Sequence, residues 1–137
     1  MKFSHSLLKR ILPRTPSKKA VAAALTMHSF ETEEGEGDTI LIDIPANRYS
    51  DAASHLGVAR ELAVILGEKL QSPILRGNAL KAKGRGILKA QVARSEDCPR
   101  YALALLRLAK MPRTPAWMRK ALIACGIQPI NGVVDIM

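Results

Sequence analysis

The chain has 137 residues, enough for one ordinary domain or two small ones. Hydrophobic residues make up 47% of it and aromatics only 4%, so any core must be built mainly from Leu, Ile, Val and Ala. The formal net charge of +9 favours contact with a polyanion or an acidic protein surface, and the lack of any apolar run of about 18 residues excludes a membrane-spanning helix.

The N-terminus carries Lys2, Lys9 and Arg10 but neither a continuous apolar segment nor a small-residue cleavage site, so it does not read as a signal peptide. Residues 1–12 place Phe3, Leu7, Leu8 and Ile11 on one face, with Ser4 as an N-cap, and predict a short amphipathic helix. Pro13 and Pro16 break it, and Ser17 caps a second helix over 18–25 that buries Val21, Ala24 and Leu25. Two such short helices need a third wall, which a helix at 54–66 would supply. Residues 26–33 read as a brief strand, turned by Glu34-Gly35-Glu36-Gly37 into a second strand over 39–44.

The stretch 38–67, DTILIDIPANRYSDAASHLGVARELAVILG, is the centre of the pattern. Ile40, Ile42 and Ile44 alternate with Leu41 and Asp43, a period of two, until Pro45 ends the ladder. A polar turn over 47–51 follows. From Ser54 the apolar residues Leu56, Ala59, Leu62, Ala63, Ile65 and Leu66 recur at helical spacing, and Gly67 stands where a positive-φ terminator belongs. Residues 71–85 then read as a basic linker. Lys81, Lys83 and Arg85 lie between glycines there, either as a solvated face or as phosphate-backbone contacts; no aromatic is interleaved to stack on bases.

Residues 86–93 predict a strand; 101–111 are rich in helix formers and read as helix by composition, with a period of two satisfied only if the register slips. Thr114-Pro115 opens a helix over 116–125 with Trp117, Ala121, Leu122 and Ala124 inward, stopped by Gly126. A turn and a strand over 133–137 follow.

Five segments in this order, LTMHSFE, IPANR, SHLGVARELA, CPRYA and PINGVVDI, resemble the N-terminal part of the bacterial phenylalanyl-tRNA synthetase beta subunit. The resemblance implies an α+β chain. Residues 1–70 would form a small helical domain with a short hairpin, winged-helix-like and corresponding to the family's B1 domain. Residues 86–137 would form the incomplete start of an α/β domain of B3/B4 type, with 101–110 as its opening strand and an uncovered edge. The tRNA-binding barrel commonly inserted in the family between the two hairpin strands has no room in Glu34–Gly37. The resemblance further implies assembly with an alpha subunit in an αβ heterotetramer, ATP- and magnesium-dependent charging of tRNA(Phe) by the complete enzyme, and a cytoplasmic location.

The chain alone is expected to have no catalytic residue, no metal site and no cofactor, since no phosphate loop, HExxH, CxxC or GxSxG pattern occurs. His5, His28 and His55 are isolated and read as structural, with His28 on a strand, and Cys98 and Cys125 as inert thiols. Asn47, Arg48 and Asp43 are expected to be architectural at the corner, with Asp43 and Glu61 as ion-pair partners for Arg48 or Arg60. The family's editing pocket lies on and after the last motif, so this chain would supply only its rim, Asn131 and Asp135. Gly132 departs from the family, where a second Asn is frequent. Two other readings are a small standalone basic nucleic-acid or ribonucleoprotein adaptor and a small hydrolase. The first lacks a basic recognition helix, as 54–66 carries only Arg60 with Glu61 beside it, and the second lacks any catalytic constellation.

Overall fold

A computed structural model of the chain describes residues 1–71, 89–101, 103 and 108–137. It divides into one compact unit of Met1–Arg76 with Pro112–Met137 and a second of Gly77–Met111.

The first unit is α+β. Strand β1 (Lys2–Ser4) runs into helix α1 (His5–Ile11), followed by α2 (Lys18–His28), β2 (Thr32–Glu34), β3 (Thr39–Ile42), a 3-10 turn (Ala46–Arg48), α3 (Tyr49–Ala52), α4 (His55–Leu66), α5 (Ala116–Ala124) and a final 3-10 turn (Val134–Ile136). The strands form one antiparallel sheet in the order β1-β3-β2, with Phe3 opposite Ile40 and Thr32 opposite Ile42. The alternation in 39–44 holds: Ile40, Ile42 and Ile44 are buried, Leu41 is half-buried and Asp43 is exposed. Their buried face meets Leu8 of α1 and Leu12 just after it, Val21 and Leu25 of α2, and Val58 and Leu62 of α4 in one apolar cluster. Helix α4 contacts both α1 and α2, and so is the wall that the two short helices lacked. An aliphatic side chain fully buried in this way contributes about 1.5–3 kcal/mol relative to exposure.

Local chemistry sets the helix ends. Ser4, Ser17 and Ser54 each accept a backbone N–H of their helix's first turn, satisfying a donor that has no partner within the helix. Gly67 ends α4 at φ +66°, a conformation costly for any residue with a Cβ. Gly57 is required for a different reason. A Cβ there would fall 2.2 Å from the Asp51 carbonyl oxygen, so α4 can start against α3 only with a glycine at this point.

Several expectations are corrected. The segment 1–12 is not all helix: its first residues add a third strand, and Phe3 is buried under the sheet instead of on a helix face. Pairing with β3 supplies backbone partners that a one-turn helical extension would leave exposed. Helix α2 continues to His28, which is therefore helical, and β2 starts only at Thr32, where the Thr26 hydroxyl accepts the Thr32 N–H at 3.0 Å and donates to its carbonyl. The polar turn over 47–51 is a 3-10 turn running into α3. In α5 the N-cap is Pro115 without a side-chain cap, because the Thr114 hydroxyl bonds the Asp135 carboxylate instead. Trp117 is exposed, with the Arg10 guanidinium 4.1 Å from its ring centroid, while Ala121 and Ala124 face inward. The strand expected over 133–137 is the 3-10 turn, which Asn131 nucleates by accepting the N–H groups of Val133 and Val134 at 3.1 and 3.0 Å.

In the second unit the strand expected over 86–93 is absent from 89–93, and its remainder lies outside the described residues. Of the strand expected over 101–110, residues 102 and 104–107 also lie outside them, and 101, 103 and 108–110 are not in a strand. There Arg94 reaches Glu96 and Asp97 at 3.5 and 3.4 Å across an exposed turn.

Candidate functional site

Arg48 organises the corner after β3. Its Nε donates to the two carboxylate oxygens of Asp51 at 3.1 and 3.0 Å, its Nη2 reaches Asp51 at 2.6 Å, and the same nitrogen bonds Glu61 of α4. The other Glu61 oxygen accepts the Ser29 hydroxyl at 3.0 Å, and the guanidinium sits 5.2 Å from the Phe30 ring. One cation thus joins the 3-10 turn, α3, α4 and the end of α2. The bonds to Asp51 and then Glu61 raise the Arg48 pKa further above its usual value, and Arg48 in turn holds Asp51 below the usual carboxylate range. Asp43 is exposed and makes no ion pair among the described residues, so Arg48 takes Asp51 instead. Asn47 is likewise exposed on the 3-10 turn.

A second cluster, which the sequence did not announce, joins β1, the β3 entry, α4 and the end of α5. Asp38 accepts the hydroxyls of Ser4 and Ser6 at 2.6 and 2.7 Å and the Ser6 N–H at 3.0 Å. Burial pushes its carboxyl upward, but these hydrogen bonds and the charge of Lys120 outweigh burial and hold it below its usual value. Beside it, His55 Nε2 accepts the Ser4 N–H at 2.8 Å, and the ring meets Phe3 edge-on at 5.1 Å. Burial lowers the His55 pKa to about 4, partly opposed by Asp38. The Cys125 thiol lies 3.8 Å from the same Nε2 and is pushed up by burial.

Placed together, a cysteine and a histidine invite a catalytic reading, which the geometry rejects. The only lone pair of a neutral imidazole is on Nε2 here and is committed to a backbone N–H, so His55 has none to accept a proton from Cys125. A thiol with a raised pKa is also a poor nucleophile. The cluster anchors α5 to the sheet edge, as does the Thr39 hydroxyl, which donates to the Ala124 carbonyl at 2.9 Å.

Asn131 and Asp135 hold a turn of their own. Asp135 accepts the Ile130 N–H at 2.8 Å and the Thr114 hydroxyl, and these bonds, the Ile130 one first, hold its carboxyl low. Gly132 packs on residue 112: its N–H bonds the Pro112 carbonyl at 3.0 Å, and a Cβ would approach that oxygen to 2.9 Å, so an Asn there would force the turn to move. Lys81, Lys83 and Arg85 lie outside the described residues. Among the described residues no three His, Cys, Asp or Glu side chains are grouped to hold a metal ion, and no helix is long and apolar enough to cross a membrane.

The B3/4 domain family matches residues 97–137. The phenylalanine–tRNA ligase beta subunit of Desulfotalea psychrophila is 39% identical over 100 residues, covering 72% of this chain and 12% of that subunit. That of Rhodopirellula baltica is 30% identical over 140 residues, covering 99% of this chain and 20% of the subunit, and that of Gloeobacter violaceus is 39% identical over 103 residues, covering 74% and 13%. The chain therefore spans about a fifth or less of the length of these curated relatives. No solved structure matches. The chain is thus similar to one segment of these phenylalanine–tRNA ligase beta subunits, and its residues 97–137 to the B3/4 domain.

Proposed function

We propose that the chain acts as the N-terminal portion of a phenylalanine–tRNA ligase beta subunit. In this reading it supports assembly with an alpha subunit into an αβ heterotetramer that charges tRNA(Phe) with phenylalanine in the cytoplasm. ATP and magnesium serve the complete enzyme, and this chain contributes no catalytic group. Residues 1–70 are its first domain, 71–85 a basic linker and 86–137 the beginning of the B3/B4-type domain. Lys81, Lys83 and Arg85 give that linker its basic face, either solvated or set against phosphates, and Asn131 and Asp135 stand at the rim of the editing pocket.

The observation carrying this reading is the match to the R. baltica subunit over 99% of the chain. The short connection from Glu34 to Thr39 is in keeping with a relative that lacks the inserted barrel. The cluster around Arg48 supports an architectural role for the corner, since its two ion pairs join the 3-10 turn to α3 and to α4.

The test is affinity purification of the tagged native gene product from its own cells, with intact-mass measurement and phenylalanine-dependent tRNA charging of the eluate. Co-elution with an alpha subunit and charging activity is the expected result. A product that elutes without an alpha subunit and neither binds nor restores charging when one is added would overturn it.

A further inference from the structure

A cleft of the first unit is put to no use by the ligase reading, and the inference drawn from it does not depend on that reading. It is a groove of about 820 Å3 between the β2–β3 connection and α5, in the size class of ligand and peptide clefts. One wall is a single stripe of α5: Ala116, Arg119, Lys120 and Ile123 fall at helical spacings of three and four and so share a face. The other wall is Glu36, Gly37 and Asp38, and Lys2 and Leu41 of the sheet lie between. Arg119, Lys120 and Ile123 are exposed, the last by 57%, and none of Lys2, Arg119 and Lys120 has an ion-pair partner among the described residues.

The charges select the occupant. Three cations stand over an apolar floor of Leu41, Ala116 and Ile123, so a ligand must bring both carboxylates and apolar side chains. A phosphate backbone would bring a charge at every nucleotide and set some of them against Glu36 and Asp38 on the opposite rim. An amphipathic peptide helix can direct its carboxylates at α5, lay apolar residues on the floor and present its neutral positions to the acidic rim. The lining carries three cations, Lys2, Arg119 and Lys120, against the two carboxylates of Glu36 and Asp38, so the net charge of the groove is positive. We infer that this groove docks an acidic amphipathic helical segment of a partner protein, with Lys2, Arg119 and Lys120 pairing its carboxylates and Leu41 and Ile123 taking its apolar side chains.

The probe is a fluorescein-labelled synthetic helix with Leu along one stripe and Glu flanking it, followed by anisotropy at low salt. Its controls are the same peptide with Lys in place of Glu and an oligouridylate of equal length. The expected result is saturable binding of the Glu peptide and none of the Lys peptide. The double variant Arg119→Glu/Lys120→Glu should weaken it by about tenfold or more, and Ile123→Asp should weaken it by a second route. Arg60→Glu/Lys69→Glu makes the same change in net charge on exposed positions outside the groove and should leave affinity unaltered. Circular dichroism checks that each variant is folded. The inference is overturned if the Glu peptide does not saturate or if both double variants lose affinity equally. It is also overturned if oligouridylate binds tighter than the peptide and depends on Arg119 and Lys120, which would assign the groove to nucleic acid.

Discussion

Acidification should unlock β1 through His55. Its Nε2 accepts the Ser4 N–H, and protonation would turn that acceptor into a donor facing a donor. The imidazole pKa falls from 6.5 to about 4 on folding. Between those values the unfolded chain holds a proton that the folded chain does not, so stability rises with pH across the window. It is complete above 6.5 and is lost as pH falls toward 4. The linkage integral gives a loss of about 2 kcal/mol between pH 7 and pH 5, on the way to about 3 near pH 4. Asp38 does not confuse this window. Its depressed carboxyl withdraws stability only as pH falls through the acid range below the ordinary aspartate value of 3.8. Urea unfolding at pH 7, 6 and 5 should therefore show a falling midpoint in the native chain and a much flatter one in His55→Gln, which cannot titrate. The histidine ring protons, followed by NMR, give the site directly. A His55 titration near 6.5, or equal pH dependence in both proteins, would refute the argument.

Other perturbations follow from the packing. Leu62→Ala empties a fully buried position between α4 and the sheet, and should cost about 2–5 kcal/mol in urea unfolding. Gly57→Ala should be as damaging despite adding a single methyl, because the atom it meets at 2.2 Å is backbone; a loss of about 2 kcal/mol or more is expected, and a neutral result would show that α3 can move. Arg48→Ala removes two ion pairs whose members are partly exposed, so the loss should be small and should shrink further at high salt. A double-mutant cycle with Glu61→Gln should give a coupling of similar size.

The parts legible in the sequence are those whose cause is local. The alternation Ile40-Ile42-Ile44 and the helical spacing over 55–66 each state which face is apolar, and burial follows from that statement alone. Ser4, Ser17, Ser54 and Gly67 act within a few residues of themselves, so their roles as caps and terminator could be read directly. At Arg48 the residue type marked a fork that would tie elements together, but its main partner, Asp51, lies three residues on and needed the unforeseen α3 turn to come within reach.

What only tertiary structure decided involves partners far away along the chain. Lys2–Ser4 is a strand because β3, about 37 residues later, offers it an edge; three residues carry no periodicity of their own. Thr114 is not a cap because Asp135 competes for its hydroxyl. Trp117 faces outward because small alanines at 121 and 124 let α5 approach the sheet closely, leaving no space for an indole there. His55 is isolated in sequence, and its pairing with Ser4 and Cys125 exists only because β1, α4 and α5 converge. A sequence records the preference of each segment, while the choice between backbone partners of similar strength is made by whichever one the folded chain brings within hydrogen-bond distance.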